Sequence, residues 1–371
     1  MKPKVLFILH IPPPIDGAAM VGQYIKNSTI INEHFDADYI NLSAAFDLKE
    51  IGKFNAAKFN VIWNILKEVL GILRTNKYDL CYMTLTAKGP GYYKDFLVVM
   101  LLKLYKSKII FHFHNKGVAQ SSKNWFNHIL YKFVFKNTQS ILLAPTLYKD
   151  IQKYVPENKV YICNNGIPKI ELTSFNTSAT KDASDFCKFL FLSNMMEEKG
   201  VFQLLEACAI LKAKNLKFQC DFIGGWSDVP EADFKHKIKL LGLQNEIRLH
   251  GKKYDEEKIK FFQNADVFVL PTYYHNECFP LVLLEAMQFA LPVISTPEGA
   301  ISEIVLENET GILTKQKDVI ALANAMEFML KNPKERLKMG TLGQIRYNKL
   351  YTLHTFEERM SAILKASIEV K

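Results

Sequence analysis

The sequence predicts an α/β protein of two domains, each a parallel sheet with helices on both faces. Short apolar runs of β type alternate with stretches of helical periodicity, the alternation breaks once and restarts, and 371 residues exceed one ordinary core.

VLFILH (5–10) reads as a first buried strand, and a helix follows over 18–27. DADYINLS (36–43), DLCYMTL (79–85), KIIFHFH (108–114) and SILLAP (140–145) supply further strands, separated by helices predicted over 59–75, 92–105 and 125–135. The stretch IELTSFNTSATKDAS has no apolar periodicity, so the linker is placed at 169–184, between a first domain at 1–168 and a second at 185–351. In the second domain KFLFLSN (188–194), FQCDFIGG (218–225), IRLHG (247–251), VFVLPT (267–272) and LPVIST (291–296) alternate with helices over 201–212, 233–241, 255–264 and 281–289. Segments from 319 to 368 read as helices, the last of which (352–371) is expected to pack back on the first domain. Such Rossmann-like domains, facing across a cleft, present ligand groups at the carboxyl ends of their strands.

Composition narrows the function classes. Hydrophobic residues make up 49% and charged residues 23%, with no long biased tract, which excludes collagen, coiled coil and wholesale disorder. No apolar run approaches the roughly 18–20 residues of a membrane span. The opening MKPKVLFILHIPPP has a basic start and an apolar run, but no small-residue cleavage site follows and the run meets three prolines, so it reads as a strand. Six cysteines show no C-x-x-C spacing and sit in apolar contexts, which fits a reducing cytoplasm. Net charge is +9, and residues 1–168 hold 21 Lys and Arg against 11 Asp and Glu, whereas 169–371 hold 26 against 27. The basic first half fits an anionic partner, or else lysine used simply for solubility. Around Trp125, KNWFNHILYKFVFK (123–136) interleaves Lys with aromatic and aliphatic residues at helical spacing, which suits either an anionic membrane surface or a core face. No nucleic-acid-binding pattern accompanies the charge.

The chemistry concentrates in TYYHNECFPLVLLEAMQFALPVISTP (272–297). Glu277 lies in a loop and Glu285 eight positions on in a helix. Pro280 suits the first helical turn, and the free N–H groups of Leu281 and Val282 then form an anion site supported by the helix dipole. Two carboxylates beside an anion would repel it unless they accept hydrogen bonds from hydroxyls of the same ligand. A nucleotide sugar, hydroxyl-rich at both ends with a diphosphate between, has that character.

This segment resembles the Glu-x7-Glu signature of GT-B fold retaining glycosyltransferases, in particular family four (group 1). Glu277, Phe279, Leu281, Glu285, Ala286, Met287, Pro292 and Val293 match. NNGIP (164–168) is similar to the family's Asn-Gly-Ile segment, and FLSNMMEEKGV (191–201) to its G-R-L-x-x-x-K-G turn, so the resemblance covers nearly the whole chain. It implies that Lys199 contacts donor phosphate. The family's arginine is Asn194 here, a neutral residue that cannot form a forked ion pair with a diphosphate. IPPPIDGAAM (11–20) corresponds to the family's glycine loop, with Gly17 kept and Asp16 in place of the other glycine.

FHFH (111–114) ends a strand, and period two puts His112 and His114 on one face. His114 resembles the family histidine near the reacting sugar; His112 lies one layer deeper. The pair falls short of a zinc set. Asp36 and Asp38 form a D-x-D that opens an early strand and reads as structural.

The resemblance implies a cytoplasmic, metal-independent glycosyltransferase without cofactor. Glu277, His114 and Lys199 are its expected catalytic residues, and Gly17, Asn194, Phe279, Pro280, Leu281, Val282 and Glu285 its donor-binding residues. The expected partners are a nucleotide-sugar donor, a glycan or lipid-linked acceptor and an anionic membrane surface at the inner face of the cytoplasmic membrane, but no nucleic acid. The departures at Asn194 and Asp16 leave a second reading, a non-catalytic GT-B protein that binds nucleotide sugar or glycan.

Overall fold

The computed structural model describes residues 2–13, 16–43, 56–170 and 186–369, with side chains in the 56–75 helix described from residue 60. The expected linker lies outside these residues except for 169–170. The chain divides into two compact units, 1–165 with 353–371, and 166–352.

The first unit runs β1 (Lys4–Leu9), α1 (Gly17–Asn27), α2 (Thr29–His34), β2 (Asp36–Asn41), α3 (Ala56–Thr75), β3 (Leu80–Thr84), α4 (Pro90–Leu104), β4 (Ile109–His112), α5 (Val118–Ser121), α6 (Trp125–Phe135), β5 (Gln139–Leu142) and β6 (Val160–Ile162). Among the described residues its strands pair in parallel in the order β2-β1-β3-β4-β5-β6. Val5 through Leu9 and the whole of β3 are buried, as a parallel sheet covered on both faces requires. Helix starts are capped: the side chains of Asp16, Ser28 and Asn124 accept N–H groups at the starts of α1, α2 and α6. Asp16 thus has a definite task, its Oδ1 accepting the Ala19 N–H at 2.9 Å.

Helix α1 sits unusually close to the end of β1. A Cβ on Gly22 would fall 1.9 Å from the His10 carbonyl oxygen, so only glycine lets the helix approach there. The Asp-x-Asp pair is structural: Lys4 Nζ lies 3.4 Å from Asp38 and 3.8 Å from Asp36, and the Tyr78 hydroxyl donates to Asp38 at 2.6 Å.

The second unit runs β7 (Phe186–Leu192), α7 (Val201–Ala213), β8 (Lys217–Ile223), α8 (Glu231–Leu240), β9 (Ile247–Leu249), α9 (Asp255–Asn264), β10 (Val267–Leu270), α10 (Leu281–Gln288), β11 (Val293–Ser295), α11 (Ile301–Ile304), β12 (Gly311–Leu313), α12 (Val319–Lys331) and α13 (Pro333–Leu350). Among the described residues the order is β12-β11-β10-β7-β8-β9, again all parallel. Successive strands β7, β8 and β9 lead one way from β7, and β10, β11 and β12 lead the other. The switch point is therefore between β7 and β10, where an open α/β sheet offers its binding crevice.

The last helix, α14 (Leu353–Glu369), belongs to the first unit. It buries Phe356, Met360, Ile363 and Leu364, and is tied down by Ser361 Oγ at 2.8 Å from His34 Nδ1, by Arg359 donating to Asn164 Oδ1 at 3.2 Å and by Lys108 donating to the Ile368 carbonyl at 2.8 Å.

Candidate functional site

In the second unit, the loops that leave β7 and β10 at the switch point clasp each other. The Tyr273 N–H donates to the Glu198 carbonyl at 2.7 Å, and the Thr272 hydroxyl reaches the same oxygen at 3.2 Å. Lys199 closes the short turn after β7, and its ammonium donates to Glu277 Oε2 while lying 4.8 Å above the Tyr274 ring. Both partners are largely buried, with side chains 13% and 10% exposed. Two residues from loops far apart in sequence are thus joined where the strand order reverses.

Glu285 stands in the second turn of α10 and also carries a lysine. Lys258 of α9 lies 2.8 Å from its Oε1. Sequence reasoning missed Lys258, because in the charged run DEEKIKFFQN a lysine looks merely solvated. Pro280 is the N-cap of α10 rather than a residue inside its first turn, and Leu281 and Val282 open the helix. Their N–H groups have no preceding turn to bond, which keeps them available to an anion.

Gly299 holds the glutamate loop from behind. Its φ is +58°, and a Cβ there would meet the Glu277 carbonyl oxygen at 2.3 Å. The Ala300 N–H donates to the Cys278 carbonyl at 2.8 Å, fixing the same turn. Phe279 is buried and meets Tyr351 edge-on at 5.8 Å, so its ring anchors the loop. Asn194 is exposed just beyond β7.

In the first unit the corresponding switch lies between β1 and β3. There and at the end of β4 three histidines gather. The His112 and His114 rings are 4.2 Å apart, and His112 Nδ1 is 2.6 Å from the Tyr82 hydroxyl. Strand β4 ends at His112, which leaves His114 in the loop beyond it. His10, the residue after β1, is the third, and reading it as the end of the apolar run VLFILH had concealed it. Burial drives the pKa of His10 down to about 3, with the charge of Lys94 adding to the effect. Burial likewise holds His114 at about 3, aided by His10, and pushes His112 well below the usual range, aided by His114. All three are neutral imidazoles at physiological pH, able both to donate and to accept. His10 Nδ1 and His112 Nε2 are buried without a protein partner, which suits a guest rich in hydroxyls. Gly17, expected among the donor-binding residues, is an exposed first residue of α1.

Two parallel six-stranded sheets, each with helices between its strands, give the chain an α/β fold of the GT-B class. Residues 176–346 match the family described as Glycosyl transferases group 1. The amylovoran biosynthesis glycosyltransferase AmsK of Erwinia amylovora is 30% identical over 234 residues, which cover 60% of this chain and 55% of AmsK. The chain thus spans about half the length of the curated relatives it matches. Among solved structures, a glycosyltransferase from Rickettsia africae ESF-5 superposes with a TM-score of 0.77 at 18% identity, covering all of both chains. Anabaena Alr3699/HepE, in complex with UDP and glucose, superposes with a TM-score of 0.72 at 15% identity, covering 98% of this chain and 99% of that one. At such identities these two show the fold.

Proposed function

We propose that the protein is a retaining glycosyltransferase of bacterial surface polysaccharide or lipopolysaccharide synthesis. It moves a sugar from a nucleotide-diphosphate-sugar donor, of the UDP-sugar or GDP-mannose type, to a hydroxyl of a glycan or lipid-linked acceptor. The observation that carries the reading is the joining of Lys199 to Glu277 at the β7/β10 switch, beside the start of α10. The names of AmsK and of the HepE complex with UDP and glucose point the same way.

In this reaction the bond between the anomeric carbon and the diphosphate oxygen breaks, and a bond from that carbon to the acceptor oxygen forms on the same face. The acceptor proton passes to the departing diphosphate. Negative charge grows on the diphosphate, and Lys199 with the N–H groups of Leu281 and Val282 neutralises it, a task that requires no metal. Glu277 accepts hydrogen bonds from sugar hydroxyls and Glu285 from ribose hydroxyls. His114, neutral at working pH, hydrogen-bonds the sugar. No side chain is assigned as a covalent nucleophile. The enzyme works in the cytoplasm at the inner face of the cytoplasmic membrane, where its basic unit meets an anionic lipid surface or acidic glycan.

A donor panel tests this by the nucleotide released, UDP against GDP, on addition of membrane or glycan extracts. Saturable donor binding with no nucleotide release from any extract would instead make the protein a non-catalytic binder.

A further inference from the structure

Helices α4 and α6 of the first unit are apolar on the side that should face water. In α6, Trp125 is 73% exposed, and Phe126, Ile129 and Phe133 are 42–52% exposed. At 100° per residue these four share one arc with exposed Lys132 and Lys136, while Tyr131, Val134 and Phe135 fill the buried face. In α4, Tyr93, Leu97, Met100 and Leu104 follow i, i+4, i+7, i+11 and are all exposed, Leu104 at 72%. Tyr92, Val98, Val99 and Leu102 form the core side of the same helix.

The two outward faces are continuous. Phe96 and Phe133 rings are 5.7 Å apart, the Tyr93 hydroxyl donates to Asn127 Oδ1 at 2.8 Å, and Lys103 spans the seam, 5.5 Å above the Phe133 ring and donating to the Lys136 carbonyl at 2.6 Å. Eight large apolar side chains, between 38% and 73% exposed, amount to roughly several hundred Å² of apolar surface, as much as the largest apolar patch of a typical soluble monomer.

Charge identifies what covers it. From residue 96 to 149 the chain has eight lysines and no Asp or Glu. The acid just before this stretch, Asp95, is fully buried and 3.2 Å from Lys94. A protein partner would favour a centre poor in lysine. A bilayer with anionic headgroups takes aromatic rings at its interface while lysines lay their stems along the apolar surface and reach phosphate. Among the described residues no helix is long and apolar enough to cross a membrane.

We propose that the outward faces of α4 and α6 dock on an anionic phospholipid bilayer, with both helices lying in the plane of the interface. The use of such docking, bringing the site to a lipid-linked acceptor, rests on the function proposed above, but the binding does not. Lys103, held down to about pKa 8 by partial burial and by the charge of Lys136, gains a counter-ion when a headgroup phosphate lies at the seam.

The test is co-sedimentation of the full chain, without donor, with phosphatidylcholine vesicles made with and without phosphatidylglycerol. Binding is expected only with phosphatidylglycerol, to weaken as salt is raised, and to fall about 10-fold or more in a Trp125→Ser, Ile129→Ser variant and in a Lys132→Glu, Lys136→Glu variant. Circular dichroism checks that each variant is folded. Quenching of wild-type tryptophan fluorescence by brominated lipid gives a readout that needs no substitution. The proposal is overturned if the wild type stays in the supernatant at low salt, or if folded variants bind as it does. A concentration-dependent dimer that Trp125→Ser abolishes, with no vesicle binding, would also overturn it by making the face a subunit contact. Vesicle binding without nucleotide release in the donor panel would remove the transferase reading and leave this one standing.

Discussion

Lys258 Nζ lies 2.8 Å from Glu285 Oε1, so the second glutamate of the eight-residue spacing, like the first, is held by a lysine from another element. The pair is roughly a quarter exposed, which limits its worth to folding to about 1 kcal/mol. Under the proposed function its larger effect is on the donor: with Lys258 in place, a carboxylate that accepts from hydroxyls would present little net charge to the diphosphate. Lys258→Met is therefore expected to raise the donor dissociation constant about 3- to 10-fold by calorimetry. In a Glu285→Gln background the same change should do almost nothing, and equal effects in both backgrounds would show that the two residues are not coupled.

Lys199 faces a choice that Lys258 does not. To neutralise a diphosphate it must loosen its hold on Glu277, so part of the new interaction offsets the old one. A charge-assisted hydrogen bond of about 1.5–3 kcal/mol then translates into a 10- to 100-fold rise in donor dissociation constant for Lys199→Ala. If, as proposed, its partners on the donor are sugar hydroxyls, Glu277→Ala should instead abolish sugar transfer while leaving nucleoside diphosphate binding within about 3-fold. An unchanged calorimetric constant for Lys199→Ala would return that lysine to a structural role.

Alternation of strand and helix made the fold class legible, because a parallel sheet needs a crossover after every strand and fully buried strands read as plain apolar runs. Elements of three to six residues, such as α2, α5, α11, β6 and β12, escaped for the converse reason: they are too short to show a period. The glutamates could be found because they stand at a loop-to-helix junction in a segment that resembles the Glu-x7-Glu signature at several further positions. Lys258, His10 and Gly22 were hidden because each matters through a neighbour distant in sequence. Of the three, only Gly22 carried a local sign, a glycine inside a helix where alanine would be about 1 kcal/mol better.

Gly299 allows the support behind Glu277 to be tested without touching a charged group. Gly299→Ala combines a left-handed backbone, costing roughly 1–2 kcal/mol, with a methyl 2.3 Å from the Glu277 carbonyl oxygen, which the loop must move to relieve. Gly242 has a similar φ of +66° but nothing within 4 Å of the added carbon. Gly242→Ala should therefore lower stability by the backbone cost alone and leave donor transfer unchanged. Gly299→Ala should lose more stability and at least 10-fold in transfer. Equal transfer rates in the two variants would mean that the loop's position does not matter to Glu277.

The histidine cluster makes the first unit sensitive to acid. His10 and His114 are held near pKa 3 in the fold against about 6.5 in an unfolded chain. Their folded values are depressed, so the unfolded chain binds more protons between those limits, and stability must fall as pH drops from about 6.5 toward 3. A tenfold difference in proton affinity between the two states is worth about 1.4 kcal/mol. Both rings are only partly buried by surface area, so a loss on the order of 2 kcal/mol per histidine by pH 4 is the appropriate scale. Hydrogen exchange of the 109–112 amides should accelerate over that window through local opening of β4, while a His10→Gln, His114→Gln variant should show a flatter profile. Were the variant as acid-sensitive as the wild type, the carboxylates and not the imidazoles would set the acid limit of this half of the protein.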